Sequence, residues 1–186
     1  MHKNLNELSK EELGKLFPIT LVDPNPLWRV LFQREKKKIM EELGEEIILR
    51  IEHIGSTAVP NLKAKPTIDI LLEIKKDINE SQIINPLKKI GYHLISKPEN
   101  PPPHIMFAKG YSPHGLTGQT YHIHVRYKGD WDEIYFRNYL RDQPQAREAY
   151  EHLKIRLERK YKYDRDAYTD AKSDFIKTAL KKAKMK

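Results

Sequence analysis

Three short stretches of this chain carry residue types that could do chemistry. The first is Gly55-Ser56-Thr57. Glycine lets backbone approach a ligand closely, and two hydroxyls beside exposed amide donors suit phosphate oxygens, above all where a helical turn begins. The same triplet also serves as an ordinary helix cap. The second is Asp69, set inside the apolar run Thr67 to Ile74. An unpaired carboxylate is costly there, so Asp69 is either hydrogen-bonded at a strand end or a hard oxygen ligand for Mg²⁺ or Mn²⁺. Strand alternation puts Asp69, Leu71 and Glu73 on one face, but Glu73 lies ~13 Å along the strand. Leu71 therefore takes the place where a second nearby carboxylate would help. The third stretch is Tyr121-His122-Ile123-His124-Val125-Arg126. Alternation sends His122, His124 and Arg126 to one face. Its two imidazoles, ~6.5–7 Å apart along a strand, can converge on one ion or phosphate. A His-x-His pair on an exposed sheet face also occurs with no such role.

Cationic residues extend the set. Arg137 and Arg141, four apart on one helical face, could clamp a phosphate bidentately. Lys172 falls between Tyr168 and Phe175 on an apolar stripe, where it either snorkels outward or points into a cleft. Lys65, just before Pro66, is either a phosphate contact or a solvated loop charge.

The elements that must position these residues follow from pattern. Ser9 and Glu12 make a capping box, with Leu8 and Leu13 as its staple, so a short helix runs to about Leu16. Ile19 to Asp23 reads as a short strand. Asn25 caps a helix with Pro26 at its first position and Gly44 at its stop. Trp28, Leu31, Phe32, Ile39 and Leu43 form its apolar stripe. Ile47 to Ile54 and Thr67 to Ile74 read as strands on either side of the Gly-Ser-Thr turn. Asn79 to Ile90 is helical, Gly91 to Ser96 another strand, and Pro98 to Pro103 a proline-rich loop. Ile105 to Lys109 and Tyr121 to Lys128 are strands joined by a loop, Gly110 to Gln119. Three helices close the chain, opened by Asp130 with Glu133, by Pro144 and by Asp164. Strands followed by helices predict an α+β fold, a mixed β-sheet covered by helices. A helical leader over 1–18 precedes a single domain over 19–186.

At 186 residues the chain fits one domain with a real core. Hydrophobic residues at 39 % and charged residues at 32 % describe a globular chain rather than a disordered one. The absence of cysteine excludes disulfides and thiolate metal sites. The polar start to Leu16 is no signal peptide, and no apolar run nears the ~20 residues that span a bilayer, so a cytoplasmic protein is expected. A net charge of +8 attracts anions. Part of it sits in the lysine-rich run Lys177 to Lys186, which reads as a solvated helix end suited to the macrodipole. Without a nucleic-acid motif or an aromatic-basic stacking segment, nucleic acid is not an expected partner.

Taken together, HIGSTAVP, AKPTIDILL and HIHV, followed by FRNYLRDQP, Tyr150 to Lys154 and Tyr168 to Lys172, resemble the GrpB family from about Ile19 to Ala183. The leader Glu11 to Ile19 resembles one subgroup of it. This resemblance implies a polymerase-beta-like nucleotidyltransferase fold, similar to a domain fused to some dephospho-coenzyme A kinases. It also implies a phosphate loop at Gly55 and Ser56 and a metal-binding carboxylate at Asp69. Leu71 then occupies the second carboxylate position, and histidine stands on the strand of the third. Asn61 stands where many members have glycine, a change that asparagine tolerates in a turn.

Two functional readings follow. In one, Asp69 is catalytic and with His122 and His124 holds Mg²⁺ or Mn²⁺ for nucleotidyl transfer. Gly55, Ser56, Thr57, Lys65, Arg137, Arg141 and Lys172 would hold the phosphate-bearing small molecule or nucleotide. The other reading is a binding module that keeps the phosphate cleft without turnover.

Overall fold

A computed structural model describes residues 5–96 and 103–185. Its sheet has five strands, β1 (Ile48–Ile54), β2 (Thr67–Ile74), β3 (His93–Ser96), β4 (Ile105–Ser112) and β5 (Gly115–Tyr127), in the order β1-β2-β5-β4-β3. β2 and β5 run parallel, while the other neighbouring pairs are antiparallel. The chain is therefore α+β with a mixed sheet, as its pattern predicts.

Alternation decides which face is buried. Ile68, Ile70, Leu72 and Ile74 of β2 and Tyr121, Ile123 and Val125 of β5 join one core under α2 (Leu27–Leu43) and α3 (Ser81–Lys89). Trp28, Phe32, Ile39 and Leu43 of α2 and Ile83 and Leu87 of α3 complete it. Full burial of each such side chain stabilises by about 1.5–3 kcal/mol. The other face carries Asp69, His122 and His124. Beside it lie α4 (Asp132–Asp142), α5 (Pro144–Lys160), α6 (Arg165–Asp170) and α7 (Ser173–Lys184). Leu140 and Tyr150 from α4 and α5 close on Val59 and Leu62, just after the turn that follows β1.

The leader helix α1 (Lys10–Leu16) forms with both bonds of its capping box, at 3.2 and 2.8 Å. It packs tightly: a Cβ on Gly14 would lie 1.8 Å from the Tyr163 carbonyl oxygen. Phe17 then meets Tyr111 edge to face, with ring centroids 5.1 Å apart.

Several boundaries differ from the pattern. Ile19 to Asp23 is no strand; it makes only a bridge between Val22 and Ala64. Gly110 to Gln119 is no loop, because β4 and β5 continue through it as a tight hairpin that pairs Ser112 with Gly115. The glycines read there as breakers instead supply positive φ, 91° at Gly110 and 115° at Gly115, for a bulge and a turn. α4 starts at Asp132, two residues after Asp130, with no side-chain cap. The last expected helix is two, α6 and α7, broken so that Lys172 sits at the N-terminus of α7. α2 starts at Leu27, so Pro26 rather than Asn25 holds the N-cap position and no side chain caps the helix. Asn25 Oδ1 accepts from Leu27 N at 2.9 Å one residue earlier. The proline-rich loop from Pro98 falls, but for Pro103, outside the described residues.

On the helix-covered face of β1, His53 stacks on Phe32 with centroids 4.8 Å apart. Thr57 donates its hydroxyl proton to the Thr67 carbonyl at 3.0 Å, so His53 Nε2–H is the donor to Thr57 Oγ1, also at 3.0 Å. Burial, aided by Arg141 and Arg137 and opposed by Asp69, pushes the imidazole from 6.5 down to about 4. A folded pKa below the unfolded one means stability present above about pH 6.5 and lost as pH falls toward 4. The shift corresponds to about 3 kcal/mol. Denaturant unfolding at a series of pH values should show that acid-side loss, and His53→Gln should flatten it.

Candidate functional site

Pairing of β2 with β5 sets Asp69 opposite His122 and Leu71 opposite His124, while Ile54 at the end of β1 flanks Asp69 from the other side. His122 Nδ1 lies 3.1 Å from Asp69 Oδ1, and His124 Nε2 lies 3.9 Å from the same oxygen. One ligand atom from each residue falls within 4.8 Å of the others, and all three are half-buried. Burial alone would raise the Asp69 carboxyl. Hydrogen bonds and charge from His122 and His124 outweigh it and hold the group well below the ordinary carboxylate range. One carboxylate oxygen and two imidazole nitrogens form a donor set fit for a divalent transition ion, and fit Mn²⁺ better than Mg²⁺.

The turn after β1 abuts this cluster. Gly55 has φ 70°, and a Cβ there would lie 2.3 Å from Asp69 Oδ2. Only glycine meets both conditions. A single 3₁₀ turn, Ser56–Ala58, follows. Further on, Asn61 adopts φ 59°, the left-handed conformation that asparagine tolerates and glycine would take freely.

Tyr111 completes the back of the site, and the pattern gave no hint of it because its strand read as a loop. Its hydroxyl is 2.9 Å from His122 Nε2, and the two rings stack with centroids 5.7 Å apart. With an ion bound, Nε2–H would donate to Tyr111, and Nδ1 would give up its hydrogen bond to Asp69 and offer its lone pair instead. A partner on the second ring nitrogen is what orients a metal-bound imidazole.

Not all the expected residues converge. Thr57 is held by His53 and the Thr67 carbonyl. Buried Arg137 binds Glu52 at 2.7 Å and the His53 carbonyl at 2.8 Å. Arg141 grips the Ala58 carbonyl with two nitrogens, at 3.0 and 2.7 Å. These three residues brace the turn rather than face Asp69. Lys65 and Lys172 lie over the Tyr168 ring, 5.6 and 4.5 Å from its centroid, close enough for each to feel the Asp69 charge. Lys154 also belongs to this site. Its Nζ donates to Ser56 Oγ at 3.3 Å and to the Lys63 carbonyl. Its signal in the sequence was the one that singled out Lys172, a lysine on an apolar helical stripe, here four residues after Tyr150. A surface concavity of about 510 Å³ along α2, bordered by Lys36, Met40 and Gly44, includes none of these residues.

With that geometry in place, comparison with known proteins assigns the class. Residues 18–182 match the family described as GrpB protein, and the chain belongs to the GrpB family. A crystal structure of the conserved protein GrpB from Enterococcus faecalis superposes with a TM-score of 0.75 at 31 % identity, covering 88 % of this chain and 96 % of that one. A UPF0157 protein of Pseudomonas aeruginosa is 38 % identical over 167 residues, 89 % of this chain and 67 % of its own length. The glutamate-rich protein GrpB of Alkalihalophilus pseudofirmus is 35 % identical, over 87 % of this chain and 94 % of its own. A dephospho-CoA kinase of Mycolicibacterium paratuberculosis is 26 % identical over 200 residues, 96 % of this chain but 49 % of that kinase. No helix among the described residues is long and apolar enough to cross a membrane.

The contact between Gly55 and Asp69 is directly testable. Gly55→Ala adds a Cβ at positive φ against the carboxylate, so it should cost more than ~1 kcal/mol in denaturant unfolding. It should also displace Asp69. A variant as stable as the parent would show that the turn and the carboxylate are not pressed together.

Proposed function

We propose that this protein binds a phosphate-bearing small molecule or nucleotide beside a divalent ion held by Asp69, His122 and His124, and that its chemistry is nucleotidyl transfer. The observation that carries this reading is the convergence of those three ligand atoms within 4.8 Å at the foot of the Gly55–Ser56 turn. A bound ion would neutralise charge on phosphate oxygens during an in-line displacement. Asp69 supplies the anionic ligand, His122 and His124 the neutral ones, and Tyr111 fixes the His122 ring. Ser56 and its neighbouring lysines hold the phosphates. The likeness to dephospho-CoA kinases makes nucleotides and coenzyme A precursors the first compounds to screen.

A second reading, a binding module without turnover, is favoured by Leu71. This side chain is fully buried opposite His124, where a two-ion site would want a carboxylate.

Asp69→Asn separates the two, because it keeps shape and removes charge. In the enzyme it abolishes Mn²⁺ binding by calorimetry and slows turnover by at least ~10²-fold. In the binding module, nucleotide affinity measured with chelator is unchanged or improved by the same substitution. That second outcome would sink the transfer mechanism.

A further inference from the structure

Beside the candidate ion site lies a group of cations that the three metal ligands do not account for. Lys154 is 2 % exposed, with its nitrogen against Ser56 and 5.0 Å from the Tyr150 ring centroid. Lys65 and Lys172 both lie over the Tyr168 ring. Among the described residues, each ion pair to a carboxylate is made by some other basic residue. Buried charges are ordinarily paired, since an unpaired one costs several kcal/mol of solvation. Here one buried ammonium group, Lys154, and two half-buried ones have aromatic faces, a hydroxyl and a carbonyl against them and, among the described residues, no carboxylate at ion-pair distance.

The cluster bears the marks of mutual repulsion. Burial first, then Lys172 and Lys65, push Lys154 down to about 7, with Glu151 opposing on the same helix. Burial, Arg165 and Lys172 push Lys65 down to about 8, with Asp69 opposing from β2. Burial lowers Lys172 as well, again against Asp69. Lys172 also stands at the N-terminus of α7, where the aligned backbone dipoles add further positive potential.

We propose that Lys65, Lys154 and Lys172, together with Ser56, form a seat for a condensed phosphate, a chain of at least two phosphoryl groups. The charge count sets the length. Three ammonium groups are matched by the roughly three charges of a diphosphate, whereas one phosphoryl group brings only about 1.5 to 2. Geometry agrees, because the cations are split between two tyrosine rings, Lys154 at Tyr150 and the other two at Tyr168. This rests on the phosphate-ligand reading above and narrows its ligand. Filling the seat returns protons to lysines that are partly neutral without it, so binding takes up protons near pH 8.

The test uses the full chain with chelator present, so that the ion site plays no part. Calorimetry with orthophosphate, pyrophosphate and tripolyphosphate at one salt concentration should rank pyrophosphate at least ~10-fold above orthophosphate. Lys154→Met and Lys172→Gln should each remove most of that gap and reduce the proton uptake measured across buffers of different ionisation enthalpy. Lys177→Gln, on the exposed side of α7, should leave both unchanged. If Lys154→Met does not fold, Lys172→Gln carries the test alone. Equal affinity for the one- and two-phosphoryl probes, or an undiminished gap in a folded lysine variant, overturns the proposal. Failure of Mn²⁺ to bind at Asp69 overturns the ion site and leaves this result standing.

Discussion

Parallel pairing between β2 and β5 brings Asp69 and the two histidines together, although more than fifty residues separate them in the chain. Two parallel strands cannot be joined by a tight turn; here the connection runs through α3, β3 and β4 before β5 enters the sheet beside β2. Once the register is set, alternation does the rest. The odd-numbered side chains of β2 and the even-numbered ones of β5 share a face, so a carboxylate and two imidazoles meet while Ile68, Ile70 and Ile123 go to the core. A shift of one residue in either strand would send that strand's part of the set into the apolar layer and break the cluster.

The turn after β1 is held as firmly as the strands. Arg137, Arg141 and Thr57 all satisfy backbone carbonyls around it, and the buried guanidinium of Arg137 also has Glu52 as its counter-charge. Cations that sequence spacing offered as phosphate clamps are thus used to fix the loop that faces the ligand. Lys154, beside Ser56, has no such structural occupation beyond one carbonyl.

Much of this was legible from residue pattern alone. The order of strands and helices gives the α+β class, and period-two alternation gives the strand on each side of the Gly-Ser-Thr turn and the common face of His122 and His124. That Asp69 meets them was expected from the family resemblance as well, because alternation does not say which strands pair. What escaped it has specific physical causes. Gly110, Gly115 and Gly118 read as loop punctuation, yet in a hairpin the same freedom of φ serves a bulge and a turn, which hid Tyr111. The break at Lys172 was hidden because Tyr168 and Phe175 keep helical spacing across it. Whether Arg137 and Arg141 faced a ligand or a carbonyl could not be read from their four-residue spacing, since that depends on which helix face docks over the turn.

The β4–β5 hairpin is the kind of exposed tip at which proteins usually accept insertions. Its tip here holds Tyr111, whose hydroxyl reaches His122, and whose ring Phe17 and Arg165 also contact. One residue more or less between Lys109 and Tyr111, where the bulge at Gly110 sits, would turn that ring to the opposite side of the ribbon and leave the imidazole without its partner. The turn beyond Ser112 can vary in length, but the bulge that precedes Tyr111 is as tightly constrained as the identity of any side chain in the cleft.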